Sequence, residues 1–450
     1  MRQGYGVAAL AVAVANTAVM FYLLKYLVDV AQLSPATAGL VIFLGEVWDA
    51  LSNPIMGRLS DRTRAGMGRR RPWILFGSAP FMLSFAALFW GFPLHGWAAI
   101  GLYLLLLVAY NTTYTIVVVP YGALTPDLTE DYDERTRLIG VRMAWSMTGG
   151  ILSGVAVPLV VQRLPGVLAG AGLVLPFGLQ DQPWRLAMLL LAPMVLLPLL
   201  IMVAATAGRD RLPPERTAPS GGLWTVLRIP AFRRTAFLFL SAWSCIGVLA
   251  ALVPFYVEHH LRHPLLLDAV FASIQLGALV CVPLAVKLAE RVEKHRAYAA
   301  CIATWALVLI GLSLVPEGTG TPALFVAALV GPGVAAAHVL PWSMLPDVVE
   351  VDAAQSGQDR AGAYYGLMTF LEKGVTGFAL WCLGIVLELS GYVEGGAAAV
   401  QPESARLAIR VLIGPVPGLI LLVAAAAALI WPPLTRAEHG GLVRRLHEGE

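Results

Sequence analysis

Long apolar runs recur along the whole chain, and they constrain its fold more than any other feature. Many exceed the roughly 20 residues that a helix needs to cross about 30 Å of hydrocarbon. Because a bilayer core offers no water, each run must form a helix or part of a closed barrel, and continuous apolarity favours the helix. The chain is 58% hydrophobic and 13% charged, against about 45–50% and about 25% in soluble domains. The sequence therefore predicts an all-α integral membrane protein.

The runs divide into twelve predicted transmembrane helices, with one long polar break in the middle. The predicted spans are 5–30, 36–58, 72–92, 97–123, 138–162, 184–206, 230–256, 264–290, 295–316, 321–345, 362–389 and 405–431. Two six-helix halves are typical of transporters that bind their solute near the midplane, although the sequence repeat between these halves is weak. The predicted domains are an N-terminal bundle at 1–206, a cytoplasmic central loop at 207–229, a C-terminal bundle at 230–431 and a cytoplasmic tail at 432–450.

Basic residues collect in alternate connections between the spans. Those between spans 2 and 3 are Arg58, Arg62, Arg64, Arg69, Arg70 and Arg71. More lie between spans 6 and 7, between spans 8 and 9, and in the tail, whereas connections 1–2, 3–4 and 9–10 contain no Lys or Arg. The positive-inside rule then predicts that both termini lie in the cytoplasm. We expect a multi-pass protein of the bacterial cytoplasmic (inner) membrane.

The second span carries polar residues in an otherwise apolar run. Glu46, Asp49 and Asn53 share one helical face, with Ser52 adjacent. Charges inside a span are costly and are usually retained for function. Two carboxylates with neutral oxygens suit Na⁺, and burial equally favours a proton on a carboxylate. The alternative is that the acidic pair neutralises a cationic side chain.

Lys373 in the eleventh span raises the question of its counter-ion. A lone lysine in hydrocarbon is expensive, so we expect it to meet a carboxylate from another span, with Asp49 as the first choice. Cation binding at Asp49 would then compete with Lys373. A purely structural ion pair is the alternative.

Candidates for the solute site are a basic residue and several aromatic ones. Arg142 in the fifth span suits bidentate capture of an anionic or hydroxyl-rich group, or it is an anchor that reaches the membrane surface. Aromatic faces suit sugar rings and apolar solutes alike. The aromatic residues within spans include Tyr114, Trp145, Trp342 and Tyr365.

The segment GRLSDRTRAGMGRRRPW, from Gly57 to Trp73, resembles the loop 2–3 signature of the major facilitator superfamily. The resemblance implies that Gly57 allows close helix approach. It also implies that Asp61 and the arginine cluster, including Arg69 and Arg70, form charge contacts that gate one conformation.

Further blocks are similar to the glycoside–pentoside–hexuronide:cation symporter family, in the right order and on the right spans. They are WDALSNPIMG, VVVPYGALTPDLTEDYDERTRL, LPWSMLPDVVEVD and DRAGAYYGLMTFLEKG. The resemblance implies twelve helices in the major facilitator fold, alternating access, and uptake coupled to Na⁺ or H⁺ without another cofactor. It places the cation, with Na⁺ as the metal candidate, at Asp49. Lys373 and the weaker candidate Thr369 would couple the two ligands, and Tyr114, Thr115 and Arg142 would line the solute site.

Several positions depart from the family pattern. Asn53 stands where sugar-transporting members have a second aspartate on the same helix. Val118 stands at the position of a sugar-binding aspartate of those members, and Ala13 stands near the position of another. We hypothesise that Glu46 replaces the missing carboxylate one turn earlier. The family's animal relatives include sodium-dependent lysophospholipid carriers. An amphipathic solute is therefore the alternative to a sugar, with Lys373 and Arg142 at its headgroup.

Three functions compete at this point. A secondary symporter is favoured over a membrane enzyme, because the sequence shows no nucleophile–base pair or HExxH motif. A non-transporting receptor on the same fold is the third possibility. The predicted partners are a small solute, Na⁺ or H⁺ and the lipid bilayer, with no nucleic acid, and we predict a monomer.

Overall fold

The predicted spans form helices along the whole computed structural model. It describes residues 1–128, 132–171, 175, 179, 181–208, 223–356, 360–396 and 399–434. Within these ranges the regular structure is entirely helical. Residues 209–222 of the predicted central loop and 435–450 of the tail lie outside the described residues, as do the arginines in these two segments.

The helices follow the predicted spans in order. They are α1 Arg2–Gly6, α2 Ala8–Asp29, α3 Pro35–Arg62, α4 Arg71–Leu88, α5 Gly96–Leu128, α6 Tyr132–Pro158, α7 Leu164–Gly170, α8 Pro183–Ala205, α9 Leu223–Arg228, α10 Pro230–Phe255, α11 Leu267–Arg291, α12 Lys294–Ser313, α13 Thr321–Leu329, α14 Gly331–Ser356, α15 Ala361–Leu389, α16 Glu403–Ile413 and α17 Pro415–Ile430. Short π-helical turns at Leu159–Arg163 and Tyr256–His260 extend α6 and α10.

Ten helical segments within the described ranges are long and apolar enough to cross a membrane. Helices α3 and α4 occupy the second and third predicted spans. Polar residues in α3 lower its hydropathy, and α4, with 18 residues, includes Arg71 and two prolines. The predicted all-α membrane fold is confirmed, and the twelve-helix count fits these segments.

Contacts divide the chain into two units. Unit 1 comprises Met1–Arg216, His263–Ala272 and Leu380–Pro402, and unit 2 comprises Thr217–Arg262, Ser273–Ala379 and Glu403–Glu450. In unit 1, α2 packs on α6 and α8, and α5 packs on α3 and α4. A Cβ at Gly149 of α6 would lie 2.6 Å from the Leu10 carbonyl oxygen, so α2 and α6 meet backbone to backbone. The domain boundaries drawn from the sequence stay predictions.

Unit 2 has its own set of packed helices, and each unit contains an arginine that bonds to a backbone carbonyl of another segment. Helix α12 packs on α14 and α17, and α10 packs on α14 and α17. In unit 1, Arg185 at the start of α8 donates to the Gly91 carbonyl, 2.9 Å away, just after α4. In unit 2, Arg410 of α16 donates to the Ser313 carbonyl at the end of α12, 3.1 Å away. Arg410 thus satisfies a carbonyl that the end of α12 leaves without an intrahelical partner, and Arg185 bonds the connection that follows α4.

Candidate functional site

Helix α3 is held against α5 one turn before the polar cluster. The Asn111 side-chain amide donates to the Gly45 carbonyl over 2.7 Å, and the Trp48 indole N–H donates to Thr112 Oγ1 over 2.8 Å. A Cβ at Gly45 would clash with Leu107. The absence of a side chain at Gly45 therefore lets the two helices approach closely, and the two hydrogen bonds fix their register.

Asp49 lies at this contact with only 1% of its surface exposed. Thr115 Oγ1 donates to Asp49 Oδ1 over 2.8 Å. Ser52 Oγ donates to the Asp49 carbonyl over 3.0 Å and lies 3.3 Å from Thr115 Oγ1. Pro54 lies inside α3 and has no N–H to donate to the Ala50 carbonyl. The neutral Thr115 hydroxyl thus contacts a buried carboxylate, with the Ser52 hydroxyl next to Thr115, and such oxygens suit a hard cation or a proton.

Glu46 and Asn53 flank this carboxylate along α3. Both side chains are half-buried, one helical turn before and one after Asp49. The helix therefore keeps the predicted residues on one face. Their roles as cation ligands, and the replacement of a missing aspartate by Glu46, stay predictions.

Thr115 contacts the carboxylate of the candidate cation site. Its hydroxyl is bonded to Asp49 and its side chain is buried, and its contact with the solute stays a prediction. The sequence contained only part of the signal for this contact. Asn111 and Thr115 are four residues apart and so share one face of α5, but the sequence does not show which helix that face meets.

The predicted solute residues of unit 1 fall into two groups. The Arg142 guanidinium carbon lies 4.7 Å from the centre of the Tyr121 ring, in a cation–π contact. Nearby on α6, Trp145 donates its indole N–H to Gln3 over 2.7 Å. Tyr114 is half-buried and packs on the Phe81 ring at 5.8 Å.

Unit 2 brings together two of the predicted aromatic residues. Trp342 on α14 stacks on Tyr365 of α15, with ring centres 6.0 Å apart and planes 6° from parallel. Phe239 of α10 contacts Trp342 edge-on at 5.0 Å. These three aromatic rings suit contact with an apolar chain or with a sugar ring alike.

Lys373 and Thr369 are four residues apart on α15, and both are half-buried. They therefore share a face of that helix. Lys373 belongs to unit 2 and Asp49 to unit 1, and their pairing stays a prediction.

The predicted gating residues lie around the connection from α3 to α4. A Cβ at Gly57 would lie 4.0 Å from Val119, which is an ordinary contact, so packing alone does not require glycine there. Arg70 is 7% exposed and Arg69 is half-buried. Asp61 lies outside the residues whose side chains the structure describes, so the gating contact stays a prediction.

A buried ion pair in α2 was missed by sequence reasoning. Lys25 Nζ lies 2.5 Å from Asp29 Oδ2, and the two side chains are only 8% and 5% exposed. Tyr392, which follows α15, donates its hydroxyl to Asp29 Oδ1 over 3.1 Å. The sequence does contain a pattern that predicts this ion pair, because a lysine and an aspartate four residues apart in an apolar run lie on one helical face.

Acidic groups gather beside this pair and make the region sensitive to pH. Partial burial raises the pKa of the Glu394 carboxyl above its ordinary value, and the charges of Asp29 and Glu388 raise it further. Glu388 also accepts a hydrogen bond from the Ala36 N–H over 3.0 Å. Lys25 is the counter-ion on the α2 side. The folded protein therefore holds a proton on Glu394 more tightly than the unfolded chain does.

This difference predicts that acid stabilises the region. As pH rises from the ordinary carboxyl pKa through the raised folded pKa, the folded state loses its extra proton and stability falls. We expect Glu394→Gln to flatten this dependence in thermal unfolding measured from about pH 4 to about pH 7. Glu403→Gln, at the exposed start of α16, is the control and should keep the wild-type slope. An unchanged slope in Glu394→Gln would contradict the assignment.

Comparison with known proteins decides the family. The sequence profile described as MFS/sugar transport protein matches residues 4–436, nearly the whole chain. The chain belongs to the MFS/sugar transport family. The resemblance predicted from the loop signature and the helix blocks is therefore confirmed. Members of this family are membrane transporters, and the multi-pass architecture agrees with that.

Proteins that this chain is similar to are named as symporters and lipid transporters. An uncharacterized symporter of Synechocystis sp. is 32% identical, covering 98% of this chain and 95% of its own. The sodium-dependent lysophosphatidylcholine symporter 1-B of Danio rerio is 26% identical over 97% of this chain and 87% of its own. The sphingosine-1-phosphate transporter MFSD2B of Mus musculus is 28% identical over 95% and 88%.

A solved structure supports the fold independently. A crystal structure of a bacterial homologue of the human lysosomal transporter Spinster matches with a TM-score of 0.67, covering 95% of each chain at 14% identity. At that identity the match establishes the major facilitator fold of this family and nothing about the solute.

Proposed function

We propose that the chain is a cation-coupled symporter in which Na⁺ or H⁺ binds at Asp49. The observation that carries this proposal is the burial of the Asp49 carboxylate, with the Thr115 hydroxyl 2.8 Å away and the Ser52 hydroxyl beside it. An ionised group in that position is costly unless a ligand or partner compensates it. The sodium dependence stated in the names of the lysophosphatidylcholine symporters supports Na⁺ as the first candidate.

For the solute we propose an amphipathic lipid with a charged headgroup, in preference to a sugar. Ala13 and Val118 provide no charged acceptors for sugar hydroxyls. Arg142, held on the Tyr121 ring, is the proposed contact for a phosphate, which guanidinium groups bind well. Two relatives are named for lysophosphatidylcholine and sphingosine-1-phosphate, and both molecules carry a phosphate and a long chain. A sugar remains the alternative, favoured by the family description.

The proposed coupling follows from competition for one carboxylate. A cation at Asp49, assisted by Ser52 and by the predicted ligands Glu46 and Asn53, would release Lys373. Lys373 and Arg142 would then be available to the headgroup, while Trp342 and Tyr365 would contact the chain. Coupling requires each ligand to bind one conformation more tightly than the other.

Uptake into proteoliposomes tests this function. We expect labelled lysophosphatidylcholine to accumulate inside only under an inward Na⁺ or H⁺ gradient, and to leak out when an ionophore collapses that gradient. Uptake of a labelled glycoside is measured in parallel under the same gradients. Accumulation of the glycoside alone would select a sugar symporter. Binding without transport would indicate a receptor, and chemical turnover of the lipid would indicate an enzyme. Either of those last two results would overturn the symporter.

A further inference from the structure

A groove in unit 2 lies apart from all the residues discussed above. It runs between the first turns of α10 and the last turns of α17, and it has a volume of about 600 Å³. This is within the range of about 300–1,000 Å³ that small-molecule sites occupy. The residues lining it include Arg233, Arg234, Phe237, Val423, Ala426 and Trp431.

The groove combines an apolar floor with a cationic end. Its walls come from side chains such as Phe237 and Val423, which are 45% and 52% exposed. Arg233 and Arg234 are exposed in the first turn of α10, and Arg234 donates to the Pro432 carbonyl over 3.1 Å. That hydrogen bond ties Arg234 to the segment that follows α17 and so holds its guanidinium at the rim.

Membrane position agrees with this chemistry. Trp431 directly follows α17 and is 62% exposed, and tryptophan is enriched where the hydrocarbon meets the headgroups. The arginines at the start of α10 occupy the same end of the groove as Trp431. The groove therefore has positive charge at the level of the headgroups and an apolar channel that leads from there into the hydrocarbon. A phospholipid has the matching arrangement, with its phosphate at the headgroup and its acyl chain in the hydrocarbon.

We propose that this groove binds an anionic phospholipid of the surrounding bilayer. The phosphate lies between Arg233 and Arg234, and one acyl chain follows the channel between α10 and α17. The proposal is independent of the transported solute, because none of the groove residues belongs to the proposed cation or solute site. The chemistry selects an anionic lipid over a zwitterionic one, since two guanidinium groups face the headgroup and none of the described residues that line the groove carries a carboxylate.

Lipid titration of the detergent-purified full-length protein, followed by native mass spectrometry, tests the site. We expect phosphatidylglycerol to bind more tightly than phosphatidylcholine. The double variant Arg233→Gln with Arg234→Gln should bind phosphatidylglycerol about 30-fold more weakly, since each basic residue near a headgroup contributes about a fivefold effect. The matched control is Arg291→Gln with Arg296→Gln, two exposed arginines of unit 2 outside the groove, which should leave the affinity unchanged.

A second variant separates the acyl channel from the charge. Ala426→Trp places a large side chain in the groove from an exposed position, so it should weaken phosphatidylglycerol binding while both arginines remain. Equal affinity for phosphatidylglycerol and phosphatidylcholine would overturn the proposal. So would displacement by free glycerol phosphate at the same concentration as the lipid, because that result would indicate an anion site without an acyl channel.

Discussion

Asp49→Asn is expected to weaken strongly the stabilisation of this protein by its coupling cation while leaving the fold intact. The amide keeps the shape of the side chain and can still accept the Thr115 hydrogen bond, but it has no charge to offer a cation. Interactions with a charged group contribute roughly 1.5–3 kcal/mol, so we expect cation affinity to fall about 10- to 150-fold. Thermal unfolding as a function of Na⁺ concentration measures this, because a ligand that binds only the folded state raises its stability.

Variants of Thr115 sharpen the test. Thr115→Val removes the hydroxyl that lies 2.8 Å from Asp49 without changing the size of the side chain much, and it should weaken the cation response by a smaller factor than Asp49→Asn. Thr115→Ser keeps the hydroxyl and should retain most of the response. Glu403→Gln removes an exposed carboxylate elsewhere and should have no effect. If Asp49→Asn kept the full response to Na⁺ and to pH, Asp49 would not be the coupling site.

Lys25→Met should cause the largest loss of stability among single substitutions in the ion-pair region. It leaves the Asp29 carboxylate buried with the Tyr392 hydroxyl but without the amine 2.5 Å away. Removing one partner of a buried pair usually costs about 3–5 kcal/mol, because the remaining charge is uncompensated. The free energy of unfolding in detergent at neutral pH measures the loss.

The double variant Lys25→Met with Asp29→Leu provides the control for that loss. It removes both charges and should recover much of the stability, since a buried pair replaced by apolar side chains is often neutral. Arg2→Met breaks an exposed pair with Glu134 and should have a far smaller effect, because water and salt screen such a pair. A double variant as unstable as Lys25→Met would show that packing, and not the unpaired charge, explains the loss.

The helices were largely predictable because the thickness of the bilayer sets their length. The predicted spans 184–206 and 362–389 nearly coincide with Pro183–Ala205 and Ala361–Leu389. Helices that continue beyond the hydrocarbon were not predictable in this way. The predicted span at 321–345 ends well before Ser356, the last residue of α14, because its polar final turns give no hydropathy signal. The family was predictable because its motifs are continuous stretches of sequence.

The candidate site was predictable only where a single helix builds it. Helical periodicity placed Glu46, Asp49 and Asn53 on one face of α3, and the structure keeps them there. The contact with Thr115 joins two helices, and nothing in the sequence of either helix fixes their mutual register. The glycine at position 45 and the amide of Asn111 set that register, and such contacts emerge only from packing.

The ion pair of α2 also bears on how the chain enters the membrane. Lys25 and Asp29 lie four residues apart on one helix, so they can neutralise each other as soon as that helix forms, before any later segment has been synthesised. A charge inside an inserting helix is costly unless it is paired. The first span can therefore partition into the bilayer by itself, and the later arrival of Tyr392 then completes a pair that was already neutral.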